Sequence, residues 1–149
     1  PHRRIEAIRT LTQAGIPTAV LVAPIIPALN ERDMEAILEQ AADAGATSAS
    51  YTVVRLPHEL KGLFREWLEV HVPDRAAHVM SLIQQMNDGK DYDSNFRTRM
   101  RGQGVFAQLL RKRFEVAARR NGLTRAWTEQ LDTSQFVPPR IVSAQGDLF

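Results

Sequence analysis

Arginines at 97, 99 and 101, with glycines at 102 and 104, make RTRMRGQG the stretch best equipped to hold an anion. Alternate side chains of an extended backbone share one face. Arg97, Arg99 and Arg101 would then form a row suited to bidentate contacts with phosphates or with a carboxylate. Gly102 and Gly104 let the backbone approach a ligand closely or take positive φ. Asp91 and Asp93 lie just upstream, and pairing with these arginines in an internal network is the competing use of the same charges. Arg55 is a second candidate, because it ends a run that reads as a buried strand. A charge there must meet a partner or open on a cleft. The four histidines share no metal-ligand spacing, and no phosphate-binding loop of the Walker type is present.

Charge is distributed unevenly. Residues 31–69 carry a net charge of −4 and residues 97–125 a net charge of +8, within a chain whose total is only +2. A basic block of that density attracts polyanions, nucleic acid first among them, or else forms a solvated helix face. With 149 residues the chain can bury a real core, and its 44% hydrophobic share is that of an ordinary globular protein. It has no cysteine, hence no disulfide, thiolate nucleophile or thiolate metal site. No apolar run reaches membrane-span length, and a cytoplasmic location is expected. The start at Pro1 without a methionine suggests a piece of a longer chain.

These residues must be positioned by alternating helices and strands. Residues 3–14 read as a helix with Ile5, Ile8 and Leu11 inward, closed by Gly15 and Pro17. TAVLVAPIIPALN, residues 18–30, then reads as a parallel strand buried on both faces, whose carboxyl end is where α/β folds place ligands. Its prolines would leave carbonyls free to face a ligand, and Asn30 would cap the next helix, with Met34, Ile37, Leu38 and Ala41 inward. Residues 48–55 form the second strand. Two strands cannot cover a sheet alone, so the pattern implies partner strands from a missing part or from self-association. Helices follow, with Leu60, Leu63, Phe64, Trp67 and Leu68 inward on the first. The next starts near Pro73-Asp74 and the last runs over 105–121, burying Phe106, Leu109, Leu110, Phe114 and Ala117. The organisation expected is an α/β portion over 1–57, a helical extension over 58–126 and an extended tail over 127–149.

The succession of AGIPTAVLVAPIIPALNE, SYTVVRLP, FREWLE and DYDSNFRTRMRGQG resembles the carboxyl-terminal part of radical S-adenosylmethionine proteins. The group is the one named for DNA repair photolyases, similar to spore photoproduct lyase. The resemblance implies the last two β/α units of a partial (β/α) barrel followed by a helical carboxyl-terminal extension. It implies adenine contacts to S-adenosylmethionine from Val22, Ala23, Pro24 and Ile25, with Asn30 nearby and Arg55 facing the reaction chamber. Arg97, Arg99, Arg101, Gly102 and Gly104 would contact a nucleic-acid substrate. The family's CxxxCxxC motif, which holds a four-iron four-sulfur cluster, has no counterpart here. The whole enzyme would thus be lyase-like and this chain inactive alone. The alternative is a basic nucleic-acid-binding module without chemistry. The last residues, QGDLF, resemble the motif by which bacterial repair proteins dock on the sliding clamp, with Gln145, Leu148 and Phe149 as contacts.

Overall fold

The computed structural model describes residues 2–125, 134 and 136–138. Helix α1 (His2–Gln13) leads through a left-handed Gly15 to strand β1 (Ala19–Ile25). A 3-10 turn (Glu31–Asp33) runs into α2 (Met34–Asp43), and β2 (Ser48–Val53) follows. Three helices come next, α3 (Leu60–His71), α4 (Pro73–Met86) and α5 (Gly104–Arg120), before the short strand β3 (Thr124–Arg125). The strands form one sheet in the order β1-β2-β3, both pairs parallel. This is the α/β alternation expected, with one strand more than the pattern suggested.

The larger core lies between the sheet and the α2–α5 layer. Val22, Ala49, Tyr51 and Val53 from the strands meet Met34, Leu38 and Ala41 of α2 and Leu110, Phe114 and Ala117 of α5. It thereby joins residues on both sides of position 57. The stripe on α2 is the one its spacing predicts. A second cluster gathers Leu56, Leu68, Val79, Met80 and Ile83, with Ile26, Ala28 and Leu29 packed against it. The loop leaving β1 is therefore anchored on α3 and α4.

Several expectations of burial are corrected. β1 is not covered on both faces: Val22 and Ile25 are buried, but Leu21 is 59% exposed and Ala23 is exposed too. The cause is topological, because β1 is an edge strand among the described residues and one face lacks a covering layer. α1 is a weak cover, with Ile5 and Ile8 half-buried and Leu11 exposed. On α3 the stripe splits. Leu68 is buried and Phe64 half-buried, whereas Leu60, Leu63 and Trp67 face outward. α3 packs on α4 along a seam narrower than its apolar stripe. Leu109 of α5 is likewise exposed, one position off the Phe106–Leu110–Phe114 face. None of the described helices is long and apolar enough to cross a membrane.

Candidate anion-binding site at the strand ends

The carboxyl ends of β1 and β2 lie together, because Val54 N–H donates to the Ile25 carbonyl at 2.9 Å. Open α/β sheets and barrels place ligands at these ends. The loop after β1 is closed by Asn30, whose amide donates to the Pro24 carbonyl at 3.0 Å and accepts from Ile26 N–H at 2.7 Å. Asn30 makes no side-chain cap to the helix that follows. Expected as a cap, it is instead a brace, since the intervening prolines curve the chain back on itself. The carbonyls expected to be free are taken: Pro24 by Asn30, Ile25 by Val54, and Ile26 by the N–H groups of Leu29 and Asn30. Of the four residues implied to contact adenine, Val22 and Ile25 are buried in the core, while Ala23 and Pro24 are exposed.

Arg55 sits just past β2, half-buried. Its guanidinium donates to the Tyr92 hydroxyl at 3.0 Å, lies 5.8 Å from that ring's centroid, and approaches the Met100 sulfur at 3.9 Å. Its Nε is buried without a hydrogen-bond partner, and no carboxylate pairs with it among the described residues. A permanently charged group held this way can recruit a carboxylate or phosphate but cannot shuttle protons. The Tyr92 hydroxyl accepts from Arg55 and keeps its own proton to donate.

The 91–104 loop departs from the extended geometry. Asp93 accepts from Asn95 N–H and from the Thr98 hydroxyl, and Asn95 accepts from Arg97 N–H, so two Asx turns wind residues 96–101 into consecutive turns. The three arginines therefore diverge instead of sharing one face. Arg97 is exposed, and Arg99 lies 4.4 Å from the Phe96 ring centroid with its Nε buried and unpartnered. Arg101 folds inward onto the Tyr51 ring at 3.9 Å and donates to the Ser50 hydroxyl at 3.0 Å. Here the loop covers the free edge of β2, with Val53 N–H donating to the Met100 carbonyl at 3.0 Å.

Neither acidic residue of the loop pairs with the arginine row. Asp91 accepts from Arg65 of α3 at 2.8 Å and from Gln84 of α4 at 2.9 Å. Partial burial pushes its carboxyl up, but those hydrogen bonds and the Arg65 charge prevail and hold it below the usual range. Asp93 is also held low, first by Thr98 and then by the Asn95 N–H. Gly102 and Gly104 take positive φ of 68° and 81°. What they approach is α4: a Cβ on Gly102 would stand 2.7 Å from the Met86 side chain, and one on Gly104 3.3 Å from the Gln85 carbonyl. Gln145, Leu148 and Phe149 lie outside the described residues.

Sequence reasoning missed Tyr92 and Met100 as companions of Arg55, and Arg65 as the partner of Asp91. It also missed Arg113, which clamps α5 to α2. Arg113 donates to Glu35 through two nitrogens at 2.8 and 2.9 Å and to the Glu31 carbonyl at 3.1 Å. Glu35 at the start of α2 and a basic run on a later helix were the only signal available.

No family model matches the chain, and no solved structure matches it. An uncharacterized protein of Mycobacterium bovis and one of Mycobacterium tuberculosis are each 29% identical to it over 87 residues, or 57% of this chain. The chain spans 26% of the length of these relatives.

Proposed function

We propose that the chain supplies the closing strands of a (β/α)-barrel enzyme of the radical S-adenosylmethionine class acting on nucleic acid, as DNA repair photolyase-like proteins do. The observation that carries this reading is Arg55, an uncompensated cation with a buried, unpartnered Nε at the carboxyl end of a parallel strand. The open face of β1 adds support, because Leu21 and Ala23 stand where further barrel strands and their lumen would meet this sheet.

S-adenosylmethionine fits in part: exposed Ala23 and Pro24 offer an apolar shelf, and Arg55 offers a partner for a carboxylate or phosphate. When bound, it supplies the reactive fragment for hydrogen abstraction. The residues of this chain hold and orient a ligand: Asn30 fixes the loop, and Tyr92 and Met100 fix Arg55. A four-iron four-sulfur cluster does not fit, since the chain has no cysteine. In this reading the cluster belongs to an upstream part of the enzyme. The experiment is to express the chain with its upstream cysteine-bearing portion, load the cluster anaerobically and measure 5′-deoxyadenosine.

A second reading is favoured by a different observation. Arg97, Arg111, Lys112, Arg119 and Arg120 are exposed and have no ion-pair partner among the described residues. They would let the chain bind nucleic acid without chemistry. Affinity for duplex DNA should then fall linearly on a logarithmic salt scale, by about 0.9 per phosphate contacted. Alanine at Arg97, Arg99 and Arg101 should flatten that slope if the loop takes part, and an unchanged slope removes the loop from the interface.

A further inference from the structure

A cleft of about 430 Å³ opens between β2 and α5, and Arg55 is not among the residues that line it. Among the described residues β3 pairs with Ser48 and Ala49, and β2 runs on past it with α5 overhanging the gap. We propose that this cleft binds a nucleoside monophosphate unit.

Charge points to the phosphate. Arg101, Arg111 and Arg119 line the cleft against the single carboxylate of Glu115, a surplus of two positive charges that matches a phosphate monoester. Residues 111, 115 and 119 are spaced for i,i+4 ion pairs, yet Glu115 pairs with neither arginine. Both α5 guanidiniums are exposed and have no hydrogen-bond partner among the described residues, and guanidinium is the side chain best matched to phosphate.

Size and floor point to the rest of the ligand. Ligand clefts usually run from about 300 to 1,000 Å³, so this one has room for a sugar and a base beyond a phosphate. Ala49, Phe114, Ala118 and Leu123 provide an apolar floor. Arg101 is held against the Tyr51 ring at 3.9 Å and by the Ser50 hydroxyl, and an arginine plane fixed in that way is a stacking platform for a base. Tyr51, only 1% exposed, lines the same cleft with a buried hydroxyl that has no hydrogen-bond partner among the described residues. Orphaned buried hydroxyls are uncommon, and a polar ligand or its bound water would relieve this one.

Calorimetric titration of the chain with adenosine monophosphate, adenosine and inorganic phosphate tests the assignment. The monophosphate should bind at least about tenfold more tightly than either part alone, since the cleft contacts both. Arg111→Ala with Arg119→Ala should weaken it by about tenfold or more, while Arg75→Ala on α4 leaves it unchanged. Both α5 arginines are exposed, so the folded state should survive, as a melting curve will verify. A short single-stranded oligodeoxynucleotide that displaces the monophosphate identifies a nucleotide of a strand as the source; failure to displace it identifies a free nucleotide. No binding at millimolar monophosphate, equal affinity for inorganic phosphate, or indifference to the double variant would overturn the proposal.

Discussion

Removing the Arg113 clamp should loosen the contact between α2 and α5, and the geometry sets how much. Arg113 makes a two-pronged pair with Glu35 and a further bond to the Glu31 carbonyl. Exposed ion pairs contribute ~0.2–1 kcal/mol, and bidentate geometry favours the upper end. Glu35 remains 42% exposed, so solvent screens the pair and a coupling of about 1 kcal/mol is appropriate. Arg113→Ala also forfeits the carbonyl bond and the packing of its stem, for about 2 kcal/mol in total. At roughly 3 °C per kcal/mol for a chain of this size, the midpoint should drop by about 6 °C.

Titration supplies an independent check. The Arg113 hydrogen bonds hold the Glu35 carboxyl below its usual value against the opposing effect of burial, and they raise Arg113. A carboxyl whose folded-state value is lowered contributes stability above its unfolded value, about 4.3 for Glu. That contribution disappears as pH falls through the lower folded value. Urea unfolding of wild type, Arg113→Ala, Glu35→Gln and the double variant at pH 7 should therefore give a coupling of about 1 kcal/mol, shrinking as pH falls below the unfolded Glu value. Additivity within about 0.3 kcal/mol at pH 7, or a coupling that persists in acid, would refute the reasoning.

Other outcomes follow from single residues. Gly102→Ala should cost about 2 kcal/mol by urea unfolding, because its φ of 68° is strained for alanine and the new methyl meets Met86. Gly89→Ala, at a φ of 79° with open space around it, should cost only about 1 kcal/mol. Asn30→Ala should destabilise by about 1–2 kcal/mol and speed hydrogen exchange at Ile26, having lost both braces of the loop. If the QGDLF tail docks on a bacterial sliding clamp, as its resemblance to that motif implies, Leu148→Ala with Phe149→Ala should abolish binding in a pull-down, and equal binding by the double variant would remove the tail as the contact.

Much of the scaffold was legible because its signals are local. Pro73-Asp74 opens α4 where a helix-starting proline should, and the α2 stripe Met34–Leu38–Ala41 is buried at helical spacing. β3 escaped notice because a two-residue strand has no periodicity to read. The exposure of Leu21, Leu63 and Trp67 was equally unreadable, since an apolar residue carries no mark of whether a partner covers it. At the candidate site, Arg55 was visible as a charge ending an apolar run, but Tyr92 and Met100 reach it only through tertiary folding. The arginine row was misjudged for a reason present in the sequence. Asp93 and Asn95 are strong turn formers, and they coil the segment that alternation alone would extend.

The account rests on Arg55 serving a ligand at the strand ends of a radical enzyme. Its most direct test is 5′-deoxyadenosine yield from the cluster-loaded protein that includes the upstream portion, compared between wild type and Arg55→Ala at matched cluster content. The account predicts measurable product from wild type and a loss of about tenfold or more in the variant, the cost of one charge-assisted contact. No product from the loaded wild-type protein, or equal yields from the two, would contradict it.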